Sequence, residues 1–105
     1  MPEARAELQF EKKFQPWEVT RLKNGLIPHE MEDKWFIFFE DNYLYFHRSW
    51  TGIEIFRIEL AMAADGSATV KQCWVNRDKD QYNSHNEESE LHTIRLLFEQ
   101  LLTQR

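Results

Sequence analysis

The sequence predicts an α+β domain: a four-stranded antiparallel meander, five-stranded if residues 5 to 14 join it, with a long C-terminal helix packed on one face and a short N-terminal helix. Three observations lead there. Aromatic and β-branched residues crowd into "KWFIFFE", "YLYFHR", "IEIFRIELAMA" and "SATVKQCWVNR", as half-buried strands require. Short turn signals, "DN" and "DG", separate the first pair and the last pair. Beyond them, Leu91, Ile94, Leu97, Phe98 and Leu101 recur at helical spacing.

The first element in the chain is a short helix in "QPWEVTRLKNG". Pro16 suits a first helical position, Gly25 suits an ending, and Val19, Leu22 and Leu26 share one face. Pro28 stops it, and "KWFIFFE" begins the sheet. "DN" at 41 and 42 is a two-residue turn of the kind that tolerates positive φ, and "YLYFHR" returns. "SWTG" turns the chain into "IEIFRIELAMA", then "DG" at 65 and 66 into "SATVKQCWVNR". "SHNE", residues 84 to 87, has the form of a capping box before a helix reaching about residue 103. Leu96 and Leu102 lie away from its apolar stripe. "RDKDQYNSHNEESE" is a polar loop merging into the helix start.

Turn position sets register. The turn at Asp41-Asn42 places Phe39 opposite Leu44 and Ile37 opposite Phe46; the turn at Asp65-Gly66 places Arg57 opposite Trp74 and Ile58 opposite Cys73. Setting Phe46 against Phe56 then gathers Trp35, Ile37, Phe39, Leu44, Phe46, Phe56, Ile58, Leu60, Cys73 and Val75 on one face, a core for the C-terminal helix. Burying each such side chain contributes about 1.5–3 kcal/mol, so this register outcompetes its one-residue slips. The other face carries Phe36, Phe38, Glu40, Tyr43, Tyr45, His47, Ile55, Arg57, Glu59, Gln72, Trp74 and Asn76. Aromatic bodies with polar tips suit a surface that meets the N-terminal segment, a second copy or a ligand.

Composition narrows the function classes. At 105 residues the chain holds a single domain, residues 1 to 105, with one continuous core. A net charge of −5 argues against a general nucleic-acid or anionic-membrane binder, because both demand a basic face. Cys73 is the only cysteine, so no intramolecular disulfide and no cysteine metal knuckle form. The first residues, "MPEARAELQFEKKF", lack the apolar segment of a signal peptide. A soluble, cytoplasmic protein without a cofactor is expected.

The richest cluster is "HRSWT" at 47 to 51. As catalysis, His47 would serve as base for Ser49 or Thr51, with Glu54 or Glu40 orienting the imidazole; no nucleophile elbow or oxyanion loop accompanies them. As a structural turn, Arg48 pairs with Glu54, Ser49 and Thr51 bond turn amides, Trp50 caps the core edge and Gly52 supplies an unusual backbone angle. As a binding pocket, Arg48, Arg57 and Arg77 converge at one end of the sheet, with Trp50, Trp74 and Asn76 beside them, to take a small anionic or nucleotide-like ligand. No glycine-rich phosphate loop supports that pocket. His85, Glu88 and His92 share a helix face, but their spacing matches no two-histidine metal motif, and no metal is expected. Cys73 reads as a small buried hydrophobe.

The string "MEDKWFIFFEDNYLYFHRSWTGIEIFRIE", residues 31 to 59, together with "WVNRD" at 74 to 78, resembles a bacterial family of short, functionally uncharacterised proteins. That family carries a Trp-Phe-rich strand, a "YFHRSWTG"-like turn and a "WVNRD"-like strand end. The resemblance covers about half of the chain. Its members occur in the company of ADP-ribose-processing proteins, so the resemblance implies a link to nucleotide or ADP-ribose metabolism and assigns no catalytic residue.

Three classes follow. The first is a binding or accessory module for a phosphate-bearing small molecule or a protein partner. The second is a small hydrolase acting on a nucleotide-like substrate through His47. The third is a structural protein that forms a homodimer through its second sheet face.

Overall fold

In the computed structural model of the chain, residues 4–25, 35–49, 51–78 and 86–103 are described. They form β1 (Arg5–Glu7), β2 (Lys13–Phe14), α1 (Pro16–Asn24), β3 (Trp35–Glu40), β4 (Tyr43–Arg48), β5 (Glu54–Met62), β6 (Ala68–Asn76) and α2 (Glu87–Thr103). The strands make one antiparallel sheet in the order β1-β6-β5-β4-β3, with β2 also on β6. This is the α+β meander the sequence predicts.

Residues 5 to 14 do join it, as an outer strand broken in two. Ala6 lies opposite Val75, and Phe14 opposite Ala68. Between those pairs the Leu8 N–H donates to the Cys73 carbonyl and the Val70 N–H donates to the Lys12 carbonyl. Leu8 and Phe10 are freed to turn into the core, where both are buried. A second strand edge is thereby covered without interrupting the hydrogen-bond ladder of β6.

The register follows the turns, with two irregularities that matter. Asp41 and Asn42 both adopt positive φ, 51° and 68°, the primed turn whose twist matches the flanking strands. Phe39 faces Leu44, Ile37 faces Phe46 and Phe46 faces Phe56. At the β5–β6 hairpin the loop has three residues, not two: Ala63 N–H donates to the Ser67 carbonyl and Gly66 N–H to the Ala63 carbonyl. That moves the ladder by one residue, and a bulge between Glu59 and Leu60, where Lys71 is extra, moves it back. Arg57 therefore still faces Trp74 and Ile58 still faces Cys73. The expected pairing holds because two one-residue shifts cancel.

The other bulge corrects an expectation. His47 pairs with Glu54 while Phe46 pairs with Phe56, so Ile55 is the extra residue. A bulge places two successive side chains toward one face. Ile55 accordingly leaves the polar face, where strict alternation put it, and is 1% exposed within the core cluster. Glu54 takes the place beside His47.

The core lies between the sheet and the two helices. Ile37, Leu44, Phe46, Phe56, Ile58, Cys73 and Val75 are buried against Val19 and Leu22 of α1 and Ile94, Leu97, Phe98 and Leu101 of α2. Phe98 is the centre of an aromatic group, edge-on to Phe46 at 5.9 Å and stacked on Phe10 at 5.7 Å. Leu102, expected to point away, is half-buried against this cluster, and Leu96 is exposed. The cap of α2 also differs from "SHNE": Asn86 caps it, its Oδ1 accepting the Ser89 N–H at 3.0 Å and its carbonyl the Glu90 N–H. Ser84 lies outside the described residues.

Helix α1 begins at Pro16, and Glu18 accepts the Gln15 N–H at 2.8 Å. It ends at Gly25, whose φ of 67° and ψ of −164° belong to a region essentially restricted to glycine. A Cβ there would stand 2.3 Å from the Ile37 carbonyl oxygen. The end of α1 thus lies directly on the outer edge of β3. Leu26 lies outside the described residues. No helix among the described residues is long and apolar enough to cross a membrane.

Candidate functional site

The face turned away from both helices carries a contiguous row of rings. It follows from strand alternation: Phe36 and Phe38 on β3 stand beside His47 and Tyr45 on β4, in register with each other. Phe38 stacks on Tyr45 at 4.8 Å and on His47 at 5.4 Å, the latter within 14° of parallel. Phe36 leans on Phe38 at 5.7 Å and Tyr43 on Tyr45 at 6.0 Å. Each of these five residues is only half-buried.

Charges on this face are matched internally. Arg57 donates from Nε and Nη2 to the two carboxylate oxygens of Glu54, at 2.8 and 2.7 Å, and its guanidinium lies 5.0 Å from the centre of the Tyr45 ring. Burial opposes the ionised form of Glu54, but the Arg57 hydrogen bonds outweigh it and hold the carboxyl below its ordinary range. Lys71 approaches Glu59 at 3.7 Å. Trp74 is covered by Arg5 from β1, at 5.3 Å, rather than by Arg57. That contact escaped the sequence reading because it depends on the N-terminal segment pairing with β6.

At the end of the row, Phe36, Phe38 and His47 combine with Arg48, Ser49 and Gly52 to line a pocket of about 290 Å³. The turn beneath is fixed by backbone: Arg48 N–H donates to the Ile53 carbonyl, Gly52 N–H to the Arg48 carbonyl, and Ile53 N–H to Thr51 Oγ1 at 3.2 Å. Thr51 thus bonds a turn amide, as the structural reading of the turn has it. Nδ1 of His47 is buried and has no hydrogen-bond partner among the described residues. Burial pushes the imidazole below its ordinary pKa of 6.5, against the opposing pull of Glu54, so the ring is neutral at pH 7.

The other singled-out residues share this end of the sheet but not this face. Arg48 does not pair with Glu54. Strand alternation sends it to the helix side, where its guanidinium lies 4.5 Å from the centre of the Trp35 ring opposite it. Asn76 is fully buried and donates from Nδ2 to the Glu54 carbonyl at 2.9 Å, bracing the bulge. Arg77 makes two hydrogen bonds of 2.7 Å to the carboxylate of Glu90 on α2. The three arginines therefore do not converge. Nor is a triad assembled, since both Glu54 oxygens are engaged by Arg57 and Nδ1 of His47 meets no carboxylate among the described residues. Trp50 and His85 lie outside the described residues, and no group of three or more metal-ligating side chains occurs among the described residues.

Fold and surface together define a class: a helix-backed antiparallel sheet with one open aromatic face. No family model matches the chain, and neither a curated protein nor a solved structure is significantly similar to it.

Proposed function

We propose that the protein is a non-catalytic recognition module that docks a protein partner on the open face of its sheet. The observation that carries this reading is the contiguous row Phe36, Phe38, Tyr43, Tyr45 and His47, each ring half-exposed on the side away from both helices. Aromatic rings are the residues on which protein contacts concentrate their energy, and here they are held rigid by stacking on one another. Five strands ~4.8 Å apart and ~3.4 Å per residue give a face of roughly 20 by 20 Å, at the small end of protein contact surfaces. That suits an accessory module making transient contacts. A nucleotide-like or anionic ligand draws less support, because Arg57 and Arg77 each hold a carboxylate and Arg48 lies on Trp35.

A displayed peptide library tests the reading. Peptides selected on the wild-type protein should bind at least tenfold more weakly to Phe38→Ala and Tyr45→Ala, and should shift backbone NMR signals of β3 and β4. Peptides that bind both variants as well as wild type would overturn it. ADP-ribose belongs in the same NMR titration, as the probe for the link that the sequence resemblance implies.

A further inference from the structure

We infer that the pocket between Phe36, Phe38, His47 and Gly52 is the anchor point of that face, built to receive one uncharged aromatic side chain of the partner protein. This rests on the reading of the open face as the recognition surface and names the chemistry its occupant must present.

Size comes first. A volume of about 290 Å³ lies at the bottom of the range for small-molecule sites, which are commonly ~300–1,000 Å³. It holds one ring system and excludes a dinucleotide. Shape comes second. Phe38 and His47 stand nearly parallel at 5.4 Å, and Phe36 is edge-on to His47 at 6.5 Å. An entering ring meets a stacked pair from one side and an edge from the other, the two arrangements aromatic rings prefer. Gly52 keeps the mouth open, since nothing lies within 4 Å of where its Cβ would stand.

Charge decides the class of occupant. Glu54 and Arg57 neutralise each other, and the Arg48 guanidinium is drawn over Trp35 on the other side of the sheet. An ion entering the pocket would surrender hydration without gaining a counter-charge. An uncharged ring loses little and gains the stacking. Continuity with the row through Tyr45 and Tyr43 favours a ring carried on a polypeptide, whose backbone can lie along the strands while its side chain fills the pocket. Tryptophan and tyrosine are the residues that most often act as such anchors.

The test is an NMR titration of the full chain with N-acetyl-tryptophanamide, free indole, indole-3-acetate and cyclohexanol. N-acetyl-tryptophanamide should shift the signals of residues 36, 38, 47 and 52 and bind at least roughly tenfold more tightly than indole-3-acetate. Phe38→Ala and His47→Ala should abolish the shifts, whereas His47→Phe, which keeps a ring in place, should retain them. Unreactive Cys73 in each variant verifies that it is folded. Equal or tighter binding of indole-3-acetate, binding that survives Phe38→Ala, or free indole binding where the capped amino acid does not, would overturn the inference. Peptides that dock along Tyr43 and Tyr45 without perturbing the pocket would remove the anchor and leave the recognition face standing. No perturbation of the face by any peptide or probe would remove both.

Discussion

The guanidinium of Arg77 grips the carboxylate of Glu90 through two parallel hydrogen bonds of 2.7 Å, joining the end of β6 to the first turns of α2. Glu90 is 2% exposed, so its charge depends on this partner. Removing one member of such a pair leaves the other buried and uncompensated. Arg77→Met should therefore lower the free energy of unfolding by about 3 kcal/mol. Arg77→Met combined with Glu90→Leu should recover most of that loss, because the unpaired charge goes with it. Urea unfolding of the two single variants and the double variant provides the cycle.

Gly25 and Gly52 have nearly the same φ, 67° and 71°, in very different surroundings. Gly52→Ala meets only the backbone penalty and should cost about 1–2 kcal/mol. Gly25→Ala adds a Cβ against the Ile37 carbonyl and sits in the glycine-only region, so about 3 kcal/mol or more is expected. Thermal unfolding of both variants isolates the steric part as their difference.

His47 gives stability a defined pH dependence. Its folded pKa lies below the unfolded value of 6.5, chiefly through burial. The unfolded chain therefore binds the proton first. Its contribution is fully present above pH 6.5 and is lost as pH falls from 6.5 through the lower folded value. Glu54, also lowered, contributes above its unfolded value of 4.5 and loses that as pH falls further. His47→Phe should flatten the stability curve just below pH 6.5 and leave the steeper acid limb intact. Proton NMR of the His47 imidazole should place its midpoint below 6.5.

Cys73 is 1% exposed, and burial pushes its thiol up to about 12. Neither access nor thiolate is available in the folded protein. Ellman's reagent should react only as fast as the protein opens, and stoichiometrically in denaturant. Rapid labelling without denaturant would contradict the burial of β6.

Much of this fold is legible in the residues because hairpin turns and apolar alternation constrain each other. Asp41-Asn42 and the pairing of Phe46 with Phe56 follow from pattern alone. Bulges are less legible, since a single extra residue leaves composition unchanged. Ile55 changed faces for that reason, and the extra Lys71 went unnoticed because the three-residue loop before it cancels its effect. Of the site, the aromatic face was readable and the ion pairs were not. Which of many acidic side chains each arginine meets depends on faces: Arg48 turns toward Trp35, while Glu54, carried round by the bulge, meets Arg57.

The seat of α1 on β3 also bears on how copies of this chain behave toward one another. "WFIFFE" holds five strongly apolar residues in six, a composition typical of segments that seed stacked fibrils. One side of β3 is occupied by β4, and on the other Gly25 rests against the Ile37 carbonyl while Lys23 lies 5.9 Å from the Phe39 ring. A helix that precedes the strand in the chain thus acts as its gatekeeper during synthesis and afterwards. The glycine that lets the two backbones touch is, in that sense, part of the protein's solubility rather than of its site.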